Sequence, residues 1–278
     1  MDRIPFGVSQ FDSLIGGGSP PGSVVLLAGD AGAGAREFAY TSATINALGH
    51  ADTDQFGLHY GSIDPRAALP DEIHYVSFTA NASEIYDEVT HTLDETLISP
   101  ALEAITFEDL SSEYFQLSPI PHDWYVEKRR TITDLGNSHD RRDVLEALGG
   151  YLTENAPGNL VVIDSLTDLC SLPDDQVNWN QMVMLVKGMK KASQAWDGLI
   201  LIHVAQESLT DRQMGALMNA TDGTICFEWE RGGNERARTM FVREFRGVLS
   251  RIEEENIVRF ETETQSDGFD ISNVRKIR

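Results

Sequence analysis

The sequence predicts an α/β fold: a mostly parallel central sheet flanked by helices, with a C-terminal β-hairpin. Three observations predict it. The apolar run Val24-Val25-Leu26-Leu27 enters a glycine-rich loop, and Phe38, Ile45 and Leu48 then mark one face of a helix that Gly49 is placed to end. Residues 73–78, 159–166 and 199–204 are short apolar runs, as expected of strands buried on both faces, and segments of helical period separate them. Residues 224–230 and 238–247 alternate about Arg231-Gly232-Gly233-Asn234, the pattern of a hairpin.

Composition narrows the classes of function. Of 278 residues, 41% are hydrophobic, enough for a sizeable core, and 22 Lys and Arg stand against 44 Asp and Glu for a net charge of -22. Such a surface repels nucleic acid and anionic membranes unless a local basic patch overrides it. It also fits a high-salt cytosol, where carboxylates stay hydrated and their repulsion is screened, so a halophilic source is expected. Cys170 and Cys226 lie in different segments without a C-x-x-C pattern and read as buried reduced thiols. The N-terminus lacks the layout of a secretory signal, and no apolar run approaches the about 20 residues that span a bilayer. A cytoplasmic protein without membrane insertion is expected, with residues 1–278 forming one domain.

The loop from Gly29 to Arg36 matches the spacing of a P-loop, G-x-x-x-x-G-K-[ST], in its two glycines only. Glycines there let backbone N–H groups turn toward phosphate oxygens at a helix N-terminus. Gly29, Asp30, Ala31, Gly32, Ala33, Gly34, Ala35 and Arg36 are therefore the candidate nucleotide cradle. Ala35 stands where the lysine belongs and Arg36 where the magnesium-binding hydroxyl belongs. Arg36 offers a cation one position late, but a guanidinium fork cannot ligate a metal. A ligand-free strand-to-helix turn is the alternative for the loop alone.

Further along, residues 56–60 offer a short strand. The strand at 73–78 ends at Thr79-Ala80-Asn81, and Ser83, Glu84 and Asp87 open a helix through Ile85, Val89 and Leu93. Glu84 is a candidate catalytic carboxylate, or a charge stabilising the helix dipole. Residues 100–143 read as a variable insertion or lid, with a strand at 104–110 and an aromatic loop at 118–125 beside the basic run Lys128-Arg129-Arg130. That run reads as a nucleic-acid or partner patch, or as a solvated helix turn. A helix is expected at 141–152. The strand at 159–166 carries Asp164 where a carboxylate holds magnesium at the carboxyl edge of a sheet, an ordinary strand-terminating aspartate being the alternative. Met182, Leu185, Val186, Met189 and Ala192 mark a helix that Asp197-Gly198 closes. At the end of the next strand His203 and Gln206 are polar, and Gln206 is the better candidate sensor of bound phosphate. Ser208 is expected to cap a short helix, residues 257–261 to form the last strand, and residues 272–278 to form a flexible basic tail.

The lead-in Phe11-Asp12-Ser13-Leu14-Ile15-Gly16-Gly17-Gly18, followed by Pro21-Gly22-Ser23 and the glycine loop, resembles the KaiC-like branch of the RecA superfamily of P-loop ATPases. Val161-Val162-Ile163-Asp164-Ser165-Leu166 and the run from Asp222-Gly223 to Arg246-Gly247 are similar to the same branch. The resemblance implies a RecA-like fold, bound ATP or ADP, magnesium on Asp164, and ring assembly in which a basic pair reaches a neighbour's γ-phosphate. Two departures follow. Thr79 and Ala80 stand where that branch usually carries Glu-Glu to align water, and the basic pair is Arg243 and Arg246, spaced one residue wider. The expectation is a regulatory or signalling scaffold that binds nucleotide weakly, does not hydrolyse it, and acts through a protein partner or as a homo-oligomer. The rival is a working ATPase rebuilt from Arg36, Asp164 and Glu84. A recombinase-like DNA-binding role requires a basic loop that the sequence lacks.

Overall fold

Strand β1 (Ser23–Gly29) is buried at every position because it lies in the middle of a wide sheet. The computed structural model describes residues 3–116, 118–125, 143–173, 177–230, 237–254 and 257–276. Its other strands are β2 (Ile73–Ser77), β3 (Ile105–Asp109), β4 (Leu160–Asp164), β5 (Leu199–Ala205), β6 (Gly223–Trp229), β7 (Arg238–Phe245), β8 (Ile257–Gln265) and β9 (Gly268–Lys276). They run in the order β3-β2-β4-β5-β1-β6-β7-β8-β9, parallel from β3 to β6 and antiparallel from β6 to β9. The chain leaves β1 toward β2 on one side and returns to β6 on the other. This strand reversal puts a crevice at the carboxyl end of β1, where open α/β sheets bind ligands.

Alternation along the strands builds two cores. Val25 and Leu27 join one with Phe11 of α1 (Ser9–Ile15), Phe38 of α2 (Ala35–Ala51), Ile85 of α4 (Ala82–Thr92) and Leu97 of α5 (Glu95–Glu103). Val24 and Leu26 join the other with Leu148 of α7 (Val144–Asn155), Leu166 of α8 (Leu166–Cys170), Val186 of α9 (Trp179–Trp196) and Leu217 of α10 (Asp211–Ala220). Phe38 is the hub of the first core, its ring 5.8 Å from Phe6, 6.1 Å from Phe11, 5.5 Å from Phe227 and 5.3 Å from Phe269. Helix α2 is buried through most of its length because β9 and α5 cover the face turned from the sheet. No described helix is long and apolar enough to cross a membrane.

Several local expectations are corrected. Residues 56–60 are not a strand: Thr53–His59 is a helix, α3, whose N-cap Asp52 accepts from the Asp54 and Gln55 amides. Phe56 stacks on Tyr60 at 4.9 Å, a helical spacing, while Leu58 between them is exposed. Gly49 does not end α2, which runs on to Ala51. A Cβ there would lie 2.5 Å from Leu69 Cδ1, so the glycine serves packing. Thr210, not Ser208, caps α10, in a reciprocal box with Gln213. The last strand extends to Gln265, and residues 272–276 are no tail: they belong to β9, where Arg275 binds Glu230 and Glu261. The expected insertion at 100–143 begins inside the sheet, since β3 is its edge strand, and continues as α6 (Ser111–Phe115). Lys128-Arg129-Arg130 and the Arg231–Asn234 turn lie outside the described residues.

The segment before β1 is fastened by one buried acid. Asp12 accepts from the amides of Phe6 at 2.8 Å and Gly7 at 3.0 Å and from the Tyr60 hydroxyl at 3.1 Å. Gly18, at φ +119°, lets this segment close, since a Cβ there would meet the Ile4 carbonyl oxygen at 2.2 Å. Burial pushes the Asp12 carboxyl up to about 7, against the lowering effect of its donors. Between about pH 4 and 7 the unfolded chain has released a proton that the folded chain retains. This group therefore makes stability fall as pH rises through that window. A carbon-13 carboxyl titration is expected to find the Asp12 midpoint near 7, and Asp12→Asn to remove that part of the pH dependence of thermal unfolding.

Candidate functional site

The loop at the carboxyl end of β1 is shaped by its glycines. Gly32 and Gly34 take positive φ, +71° and +113°. A Cβ on Gly29 would lie 2.6 Å from that of Ala35, and one on Gly34 2.9 Å from Cε2 of Phe269 on β9. Three hydrogen bonds hold the loop, one within it and two to β6. The Asp30 amide donates to the Phe227 carbonyl at 3.0 Å, the Ala33 amide to the Asp30 carbonyl at 3.0 Å, and the Trp229 indole to the Ala31 carbonyl at 2.9 Å. The first-turn amides of α2 have no carbonyl partner within the helix, and its N-cap Gly34 supplies no side chain. A cradle for an anion is thus built from backbone.

The cavity in front of the loop measures about 520 Å³. Gly29, Asp30, Ala31, Gly32, Gly34, Ala35 and Arg36 line it as the spacing predicts, while Ala33 is buried beneath. The far wall is the face of α4 that carries Glu88, His91 and Thr92, and Tyr40 of α2 donates to Glu88.

Asp164 is where the charges of the site meet, and it is 8% exposed. Arg36 reaches it with two nitrogens: Nη2 donates to Oδ1 at 3.2 Å, and Nε lies 3.1 Å from Oδ2. The Tyr75 hydroxyl donates to Oδ2 at 2.7 Å, and His203 Nδ1 lies 2.9 Å from Oδ1. Since an ionised carboxylate only accepts, His203 carries its proton on Nδ1. Burial raises the Asp164 carboxyl, but the hydrogen bond and charge of His203, then Arg36 and Tyr75, outweigh it and bring it down to about 2. Burial lowers the Arg36 guanidinium, and Asp164 foremost drives it above its ordinary value.

Magnesium does not fit this arrangement. A carboxylate offers about four acceptor directions, and four protein contacts already use those of Asp164. Position 36 supplies no hydroxyl, and among the described residues no group of three His, Cys, Asp or Glu is placed to hold a metal. In this structure the Arg36 guanidinium is in contact with Asp164, the residue expected to hold magnesium.

The other expected site residues are dispersed. Glu84 is not at the loop: it caps α4 in a reciprocal box, accepting from the Asn81 amide at 2.9 Å while its own amide donates to Asn81 Oδ1. Gln206 begins a short turn (Gln206–Ser208) after β5 and does not line the cavity, whereas His203 does. Arg243 is exposed on β7 beside Cys226, and Arg246 is exposed after that strand, neither of them in this cavity. Sequence reasoning missed Tyr40, Tyr75 and Glu88. Glu88 stands one helical turn after Glu84, the spacing that could have found it.

No family model and no curated protein matches the chain. Solved structures do match. The chain superposes on the KaiC-like protein PH0186 of Pyrococcus horikoshii with a TM-score of 0.61 at 17% identity, covering 98% of this chain and 99% of that one. It superposes on the flagellar accessory protein FlaH of Methanocaldococcus jannaschii with a TM-score of 0.57 at 14% identity, covering 96% of each. The likeness spans the whole architecture, so the chain shares the fold of these two structures.

Proposed function

We propose that this protein is a regulatory P-loop scaffold. It holds ATP or ADP weakly in the cradle of Gly29–Arg36 without magnesium, does not hydrolyse it, and acts through protein partners or copies of itself, as in signalling. The observation that carries this reading is the Arg36 guanidinium seated on Asp164. An arginine there supplies the charge that a metal would otherwise bring to the carboxylate, but it neither bridges phosphate oxygens to a protein hydroxyl nor positions water. The loop has no lysine to neutralise a leaving phosphate, and Thr79 and Ala80 offer no carboxylate to orient a nucleophile. Losing one electrostatic stabiliser typically costs ~2.7–4 kcal/mol of barrier, and two such losses leave negligible turnover even where they do not add. One protein of similar fold is named as a flagellar accessory protein, and an accessory role of that kind supports action through partners.

Titration with a fluorescent ATP analogue is expected to give the same affinity with and without magnesium, and phosphate release is expected to match buffer alone. Turnover that Asp164→Ala abolishes would overturn the proposal. A second outcome follows from the ion pair. Arg36→Ala leaves a buried carboxylate short of a partner and is expected to lower stability by about 1–2 kcal/mol, a figure discounted because the Arg36 side chain is 46% exposed. The same variant frees two acceptor directions on Asp164, so its nucleotide binding becomes magnesium-dependent. Chemical denaturation and the same titration check both effects.

A further inference from the structure

A second cavity, about 640 Å³, opens beyond the carboxyl ends of β2 and β3. It shares helix α4 with the loop cavity: Glu84 of the first turn lines this one, and Glu88, one turn on, lines the other. One wall is aromatic, made by Phe115, Tyr125 and Trp124, with the Phe115 and Tyr125 rings 5.3 Å apart. Trp124 is 76% exposed, and Ile120 beside it is exposed as well. Glu84 and Asp109 line the same cavity. Each of these carboxylates has one oxygen held by backbone. Glu84 Oε2 accepts from the Asn81 amide at 2.9 Å, and Asp109 Oδ1 accepts from the Ser111 amide at 2.8 Å. Among the described residues, Glu84 Oε1 and Asp109 Oδ2 accept nothing. The two acceptors are fixed in place and uncommitted.

Among the described residues the field around the cavity has one sign. No described basic side chain lines it, and Glu108 and Glu113 stand close to Asp109. Burial, with Glu113 and then Asp109 nearby, pushes the Glu108 carboxyl up, as expected where carboxylates crowd without cations. Aromatic rings and preset carboxylates lining one cavity suit a cation on an apolar stem, whose stem packs on rings while its charged head reaches oxygens. A guanidinium fits best, because it stacks on an aromatic face and bonds a carboxylate in one plane. The net charge of -22 draws cationic partners toward the whole molecule, and this cavity is where an apolar wall adds to that pull.

We infer that the cavity between α4, the end of β3 and the aromatic segment 115–125 is a docking site for an arginine-bearing segment of a protein partner, gripped by Asp109 and Glu84 and stacked on Trp124. The inference rests on this cavity alone and stands apart from the nucleotide reading.

Fluorescence anisotropy with a labelled glycine-arginine repeat peptide at low ionic strength tests it, beside a peptide in which glutamine replaces each arginine. The arginine peptide is expected to bind and the glutamine peptide not to. Trp124→Ala is expected to weaken binding about fivefold, and Asp109→Asn by a similar factor. Both side chains lie at the surface of the cavity, and asparagine keeps an acceptor for the Ser111 amide, so circular dichroism is expected to show both variants folded. Glu253→Gln, exposed on α11 (Leu249–Glu254) beside β8 and far along the sheet from β3, removes a charge without touching the cavity and is expected to leave affinity unchanged. An equal loss in Glu253→Gln would reduce the effect to bulk charge and overturn the inference. Equal binding of the glutamine peptide, or no loss in either cavity variant, would do the same.

Discussion

A carboxylate removed from water must be met by donors, and Asp164 is met from three directions at once. Arg36 comes from the helix after the loop, Tyr75 from β2 and His203 from β5. These elements converge at the carboxyl edge of the sheet, so one side chain joins the loop helix to the strands on the far side of β4. Burying a charge costs several kcal/mol unless its partners have good geometry. Here the partners hold the carboxylate ionised across the physiological range. The chain's own donors satisfy this carboxylate.

The loop cavity and the aromatic cavity share helix α4. Its first turn presents Glu84, fixed by the cap with Asn81, and its second presents Glu88, bonded to Tyr40 of α2. The Tyr40 ring in turn lies tilted against that of Tyr75, centroids 5.9 Å apart, and Tyr75 donates to Asp164. A continuous run of packed side chains thus leads from the charged centre of the loop to the helix that walls the second cavity.

The strands and the loop were legible in the sequence because their signals are local. Runs such as residues 160–164 and 199–204 are apolar at consecutive positions only where both faces are covered, and the glycine spacing of residues 29–34 describes a backbone shape directly. Helix α3 was misread because Phe56, Leu58 and Tyr60 alternate, and the cap from Asp52 outweighed that pattern. Strand β9 was missed because residues 272–276 are mostly polar. Their place in the sheet is fixed by Phe269 and Ile271 beneath α2 and by the bonds from Arg275 to acids on other segments. The pairing of Arg36 with Asp164 joins positions 128 residues apart, which no periodicity reports. A trace of it was still present: an arginine displaced into the hydroxyl position, together with a surviving aspartate, is a charge swap that can be read as a pair.

Phe269 has one more consequence. Its ring lies against Gly34 and Phe38, and its amide donates to the Thr41 hydroxyl at 2.8 Å, so the floor under the glycine loop is supplied by a strand made far later in the chain. While the ribosome is still translating residues before β9, the loop has no floor and the first turns of α2 keep an apolar side open to solvent. The shape of the loop is therefore among the last features to be set during synthesis. A nascent chain stalled before β9 exposes a phenylalanine cluster of the kind chaperones bind.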